Sequence, residues 1–455
     1  MPKINIWEID NTGLEAQEFT EYLVLIPGIG LPKTELDAEG NEVLVEGKYV
    51  DSYFETADAL KNKFDKVSKF VPNYTDDLGY KIAYYILQAG LPIQYVSAYT
   101  DAEDAEAIAL DKSKLDEIYK EYEDRGKYDV RFITLGGIPS NPTTIQTILE
   151  CAGNRGDAVA VCSVPQKGEI SVKNEKGETI KTEVKDLVKS DVIDTWVQQN
   201  LSTICNLPIP RKGVSWNTSR TETYGSYGAI FASDFIGDIL VNGKQVKNMV
   251  IPAWVGYLAC FAKYTQRFND WYAMSGSIRG VLPLTITPKI VFGDTDTDIF
   301  QVRTEDPSTE AEEKYHVSVN PIARVRPYGD IIWGNRTMHP LQAPLNGSSA
   351  AIQLTASSFL NIRNLCIDIK KTLYRAARRY TFEPNSDVLW INFKAAITPL
   401  LNKMTSDNGI RGYQIIKTPT NKKALLAARI VITPIEAVED FDLTIELNDS
   451  IEVQE

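Results

Sequence analysis

The chain has 455 residues, is 43% hydrophobic and carries a formal net charge of −13. That length exceeds one ordinary core and predicts two to four domains. The absence of any run of about 18 apolar residues excludes a membrane-spanning helix, and the acidity argues against a surface that wraps nucleic acid. The charge is segregated. Residues 1–130 hold 27 acidic and 13 basic side chains, residues 321–425 hold 5 and 15, and residues 426–455 hold 8 and 1. Such asymmetry orients one protein surface against another.

The N-terminal segment MPKINIWEIDNTG has no basic stretch followed by an apolar core, so it does not read as a signal peptide. Its Ile4 and Ile6 fall on one face of an extended strand, with Trp7 on the other. EYLVLIPGIG predicts an apolar strand ended by Pro27 and Gly28, and residues 31–50 a hairpin turning at Gly40-Asn41. A helix follows over DSYFETADALKNKFDKVSKF, another over GYKIAYYILQAG closed by Gly90, and a strand over LPIQYVSAY. Asp101–Asp124 is acidic and helical. Strand Tyr128–Gly137, helix Pro142–Gly153 and strand Gly156–Pro165 form a βαβ unit of a parallel sheet.

Residues 166–183 predict a polar hairpin turning at Gly177, and a helix from Val184 to Gln199. A strand, a hairpin over Asn242-Gly243 and an apolar helix from Pro252 to Tyr264 come next. Asp294–Tyr315 reads as an exposed loop or boundary. The helix Ser357–Tyr380 carries an apolar stripe of Phe359, Ile362, Cys366, Ile369, Leu373, Ala377 and Tyr380. Arg363, Lys370, Lys371, Arg375, Arg378 and Arg379 lie mostly off that stripe and predict a basic face. A helix from Ser386 to Met404 contains Pro399. GYQIIKTP and ALLAARIVITPI read as paired strands. Leu443, Ile445 and Leu447 alternate on one face of a terminal strand, resumed by Ile451 and Val453.

Motifs for chemistry are missing. Gly28-Ile29-Gly30 lacks the third glycine of a dinucleotide loop, and no Walker A sequence occurs. Ser226 and Ser277 sit among small residues without a nucleophile elbow. Asp294, Asp296 and Asp298 lack calcium-loop spacing. Cys151, Cys162, Cys205, Cys260 and Cys366 are scattered and odd in number, which reads as reduced, buried thiols of a cytoplasmic chain. With His316 and His339 in unrelated contexts, no metal site, cofactor or catalytic residue is expected. Tyr (22) and Trp (7) are plentiful enough to serve assembly interfaces.

The C-terminal third carries an ordered set of segments: NPIARVRPYGDIIWGNRTM, SSFLNIRNLCIDIKKTLYRAARRYTFEPNSDVLW, RGYQIIKTPTNKK and ALLAARIVITPIEAVEDFDLTIEL. They resemble the core of phage tail sheath proteins, a family shared with R-type bacteriocins and related contractile injection systems. The resemblance is carried by Trp333, Gly334, Arg336 and Thr337 of a W-G-x-R-T step and by Glu383, Pro384 and Asn385 of an E-P-N step. Upstream, VRFITLGGIP and GDAVAVCSVP resemble the family's central domain. The segment from Asn248 to Pro283 resembles the helix and segment that follow there, with Ile251-Pro252-Ala253-Trp254 in place of the usual proline-serine pair and Met274-Ser275-Gly276-Ser277 in place of A-P-A-N.

The resemblance implies an α/β (α+β) multidomain tail-sheath fold: an arm over 1–22, a variable, outward-facing domain over 23–127, a central α/β domain over 128–300, an inner C-terminal core over 301–440 and a second arm over 441–455. It implies a non-enzymatic subunit that stacks as hexameric rings around a tail tube and contracts to drive the tube through a host envelope. Partners would be other copies, the tube protein, and baseplate and terminator or neck proteins, with no membrane insertion and no direct nucleic-acid contact. The implied setting is a virion tail assembled in a bacterial cytoplasm; the alternative is the sheath of a bacteriocin or other non-virion machine. In such sheaths both terminal segments join a neighbour's sheet by strand addition, and the basic helix would lie near the tube. A hydrolase-like enzyme and a tail tube or baseplate adaptor are the rivals from other classes.

Overall fold

The computed structural model describes residues 22–39, 42–100, 104–173, 179–210, 222–283, 286–301, 316–339, 355–419, 423–435 and 437. The arm residues Ile4, Ile6, Trp7, Leu443, Ile445, Leu447, Ile451 and Val453 lie outside them.

In chain order the body begins with β1 (Leu23–Ile29), the hairpin β2 (Pro32–Leu36) and β3 (Glu42–Tyr49), and β4 (Ser52–Phe54). Helices α1 (Ala57–Val67) and α2 (Leu78–Ala89) lead to β5 (Ile93–Tyr99). The acidic stretch forms α3 (Asp104–Leu110) and α4 (Lys112–Lys120). Then come β6 (Val130–Ile133), α5 (Pro142–Arg155), β7 (Val159–Ser163), the hairpin β8 (Lys167–Lys173) and β9 (Thr179–Asp186), and α6 (Ser190–Asn206). Strands β10 (Gly228–Ala232), β11 (Phe235–Val241) and β12 (Lys244–Ile251) precede α7 (Ala253–Tyr264), β13 (Ile286–Pro288) and α8 (Asp294–Phe300). Strands β14 (Asn320–Val325) and β15 (Gly329–Ile332) end the body. A C-terminal lobe follows: α9 (Leu360–Arg379), α10 (Asp387–Ser406), β16 (Ile410–Thr418) and β17 (Ala427–Pro434).

One eight-stranded sheet, ordered β15-β14-β10-β7-β6-β1-β5-β4, organises the body. Its six inner strands are parallel and β15 and β4 run antiparallel at the edges. The expected βαβ unit is β6–α5–β7, and its strands are parallel neighbours. This sheet takes strands from 23–127, 128–300 and 301–440 alike, so it crosses both of the domain boundaries expected between those segments. Strands β1, β6, β7 and β10 are buried along their whole length, as a parallel sheet covered on both faces requires.

Several local expectations shift. β1 runs through Pro27 and Gly28 to Ile29, because the carbonyls of this stretch stay engaged: Pro27 O accepts from Gly137 N at 3.0 Å. The helix expected from Val184 starts at Ser190, since β9 pairs with β8 as far as Asp186. Asp294–Phe300 is a helix rather than a loop; Asp296 accepts from the Gly293 amide at 2.9 Å and Phe300 is fully buried. The remainder of that expected loop, 302–315, is outside the described residues. Asn242 (φ 52°) and Gly243 (φ 75°) make the tight β11–β12 turn as read from sequence. Pro399 is accommodated within α10.

Candidate assembly surfaces and the helix that joins them

In open α/β sheets the ligand crevice lies at the carboxyl ends of the strands where the winding direction reverses. Here that point is between β1 and β6, since β5 lies to one side of β1 and β6, β7 and β10 to the other. The chain itself fills it. Asp77, the N-cap of α2, accepts from Tyr80 N at 2.7 Å, Ile29 N at 3.3 Å and the Tyr99 hydroxyl at 2.8 Å. It occupies the position where a helix N-terminus would otherwise hold an anion. Burial pushes this carboxyl above its usual range. Glycines close the gap: a Cβ at Gly136 (φ +53°) would stand 2.0 Å from Pro27 O, and one at Gly79 2.6 Å from the same atom.

The W-G-x-R-T residues form a clip between the sheet and α9. Asn320 on β14 accepts from Arg336 N at 2.8 Å and donates to Arg336 O at 2.8 Å and Ile230 O at 3.1 Å. A Cβ at Gly334 would lie 2.6 Å from Asn320 Oδ1. Arg336 stacks 4.7 Å over the Phe359 ring, and Thr337 N donates to Ser358 O at 2.9 Å. Trp333 is 38% exposed; its amide donates to Pro321 O at 2.9 Å and its carbonyl accepts from Gln301 Nε2 at 3.2 Å. In the E-P-N step, Glu383 and Pro384 are exposed and Asn385 donates to Lys423 O at 2.9 Å, tying the α9–α10 turn to the lead-in of β17.

Helix α9 departs most from its sequence reading. Its first half is buried almost all round, polar residues included, because it is wedged between the body and the lobe. Ala377 of the expected stripe is exposed, and Cys366, Leu373 and Tyr380 are only half-buried. Most of the predicted basic face is consumed internally. Arg363 is buried 4.2 Å over the Tyr227 ring, and Lys370 bonds Glu222 at 2.8 Å. Lys371 is buried and bonds Asp129 and Val130 O, and Arg375 pairs with the same Asp129. Burial alone would raise the Glu222 carboxyl, but Lys370 and Arg363 outweigh it and hold it far below its usual range. Asp129 is lowered in the same way, with Lys371 and Arg375 overcoming its burial. Arg378 and Arg379 remain exposed.

Sequence reading missed the partners that hold this helix: Asp129, Arg131, Glu222, Asp270 and Asp368. Arg131 was the available signal, a lone cation inside the otherwise apolar strand VRFITL.

The lobe presents unfinished surfaces. β16 and β17 pair only with each other among the described residues, so each has an open edge. Tyr413, Ile415, Ile430 and Ile432 cover the helices, while Arg411, Gln414, Ile416 and Arg429 are exposed. An open cleft of about 1170 Å³ runs beside β17. Its wall includes Leu426, Ala428 and Ile430, and its floor Leu373, Leu389 and Phe393. Phe382 at the rim of the cleft, and Val388 and Ile391 on α10, stand in solvent. Among the described residues no three His, Cys, Asp or Glu side chains are placed to hold a metal, and no helix is long and apolar enough to cross a membrane. His316 bonds Asp194 and His339 bonds Thr223.

Comparison with known proteins gives these features a common meaning. The family model described as phage tail sheath C-terminal domain matches residues 355–448. A curated tail sheath protein of Vibrio phage KVP40 is 21% identical over 192 residues, which is 41% of this chain and 27% of that protein's length. Over nearly the whole chain the fold matches an extracellular contractile injection system, the PVC sheath complex in its contracted state. That match has a TM-score of 0.57 and 12% identity, and covers 99% of this chain and 98% of the other. A chain of the anti-feeding prophage baseplate in its contracted state matches with a TM-score of 0.56 and 11% identity, over 99% and 97%. The fold is therefore that of contractile-sheath subunits. Residues 355–448 thus resemble the tail sheath C-terminal domain, and the chain as a whole is similar in fold to subunits of contractile injection systems.

Proposed function

We propose that copies of this chain polymerise as stacked six-membered rings around a tube, and that the polymer shortens from a metastable extended state to drive the tube through an envelope. Two packings of one chain that differ in interface burial and charge pairing would supply the work. The observation that carries this reading is the pairing of an unfinished two-stranded sheet with two strand-like segments elsewhere in the chain. A two-stranded sheet is marginal alone, and an added strand satisfies an open edge through backbone hydrogen bonds. Leu443, Ile445 and Leu447 of one copy would lay their apolar side chains beside Leu426, Ala428 and Ile430 of another. Charge favours the pairing, since residues 426–455 are acidic while Arg411, Lys417, Lys423 and Arg429 surround the strands.

The machine is better read as a non-virion contractile injection system than as a virion tail. What supports this is extent: the extracellular injection system and anti-feeding prophage chains match throughout, the phage relative over a minority of the chain. The phage reading keeps the support of the tail sheath domain itself. Arg378 and Arg379, with Phe382, Val388 and Ile391, are the lobe side chains available to a tube. The acidic α3–α4 region would face outward.

Negative-stain microscopy of the purified chain tests the reading. Striated hollow cylinders are expected from the full chain and only dispersed subunits after deletion of residues 441–455. Normal cylinders from the truncated chain would refute the arm assignment, and absence of cylinders from the full chain, with or without a tube protein, would refute the sheath function.

A further inference from the structure

Three ionisable side chains are enclosed together where α9 crosses the central sheet. Arg131 on β6 has 0% side-chain exposure, Asp270 after α7 has 4%, and Asp368 on α9 has 12%. Arg131 Nη2 donates to Asp270 Oδ2 at 2.6 Å and to Asn364 O at 3.3 Å, and Nη1 donates to Asp368 Oδ1. One guanidinium thus serves two carboxylates. If both were ionised, the enclosed group would carry an uncompensated negative charge, which the interior strongly disfavours.

Among the described residues no neighbouring element supplies the missing positive charge. The groups facing the cluster are Tyr22, leading into β1, and Tyr257 on α7, which accepts from Asn364 at 3.2 Å. Burial holds both phenols neutral. Lys371, one turn along α9 from Asp368, is taken by Asp129. A proton is the remaining source of balance, and the two carboxyl groups share one guanidinium, Asp270 on Nη2 and Asp368 on Nη1. Burial first, and the Asp368 charge second, push the Asp270 carboxyl well above its usual range.

We propose that Asp270 holds a proton where it meets Arg131 beside Asp368, and that its loss to solvent loosens α9 from the central sheet. The folded chain then binds a proton that the unfolded chain releases at an ordinary aspartate pKa. The stabilisation is complete below that unfolded value and is lost as pH rises through the higher folded value. A joint between body and lobe is thereby made sensitive to rising pH.

The test is urea unfolding of the full chain across pH, comparing wild type with Asp270→Asn and Asp368→Asn. An amide keeps the neutral partner at every pH. The ratio of wild-type to variant unfolding constants should rise by up to about tenfold per pH unit through the titration, with the variant holding its stability at alkaline pH. A ratio independent of pH would overturn the proposal. Hydrogen exchange in the wild type decides the matter even if neither variant folds. Protection of Leu365–Lys371, corrected for intrinsic rates, should fall as pH rises while that of α2 does not, and unchanged protection would contradict the proton on Asp270.

Discussion

In the body, β1, β6, β7 and β10 are buried from end to end and one continuous apolar core runs beneath them. In the lobe, the paired strands β16 and β17 contain one fully buried residue, Ile410, and the helices close over two small clusters. The body finishes its own sheet, covers its faces and plugs its ligand crevice with Asp77. Among the described residues the lobe leaves two strand edges open, a cleft beside one of them and Phe382, Val388 and Ile391 in solvent. The body is satisfied within its own chain, and under the proposed assembly the lobe is the part that other copies complete.

The comparison breaks first at the joint. Arg131→Met should destabilise the chain by about 4 kcal/mol, because it leaves the buried Asp270 and Asp368 pair without its cation. A loss of less than about 1 kcal/mol in urea unfolding would mean that the cluster does not bind lobe to body. Next, Ile397→Ala, at a fully buried lobe position, should cost about 3 kcal/mol. Its hydrogen-exchange effect should stay in α9, α10, β16 and β17, whereas Ile133→Ala in β6 should raise exchange across the whole sheet. Uniform exchange in both variants would show that lobe and body unfold as one unit.

A smaller effect concerns Asp234, beside the N-terminus of α7. Burial raises its carboxyl to about 6, against hydrogen bonds from Gln166 and Ala253 N. Its raised value means that stability present below the unfolded aspartate pKa declines as pH climbs towards 6. Asp234→Asn should flatten that part of the pH–stability curve, read by thermal melts. An unchanged slope between pH 4 and 6 would place the titration elsewhere. Smallest of all, Val388→Ser with Ile391→Ser should leave subunit stability within about 0.5 kcal/mol while reducing co-assembly with tube. Wild-type co-assembly would remove that patch from the tube surface.

The same contrast explains what could be read from sequence. Body strands announce themselves as apolar runs between glycine and proline breaks, so β5, β6, β7 and the Asn242-Gly243 hairpin were legible. Sheet order was not, because pairing partners 70 or 100 residues apart leave no local mark; β4, β5 and β1 therefore read as a separate domain. The long helix misled for a different reason. Its cations follow a solvent-face spacing, yet Arg363, Lys370 and Lys371 find Tyr227, Glu222 and Asp129 on elements far away in the chain. Tertiary charge partners override a helical pattern without altering it. The W-G-x-R-T step was legible as a motif, but its work, clipping β14 to the start of α9 through Asn320, required coordinates.

Cryo-EM reconstruction of the polymer formed by the purified full chain is the most direct measurement of the central claim. The account predicts a hollow helical cylinder in which a strand from another copy is hydrogen-bonded to an edge of the β16–β17 pair. A cylinder whose β16 and β17 edges both face solvent, or a chain that forms no cylinder at all, would contradict it.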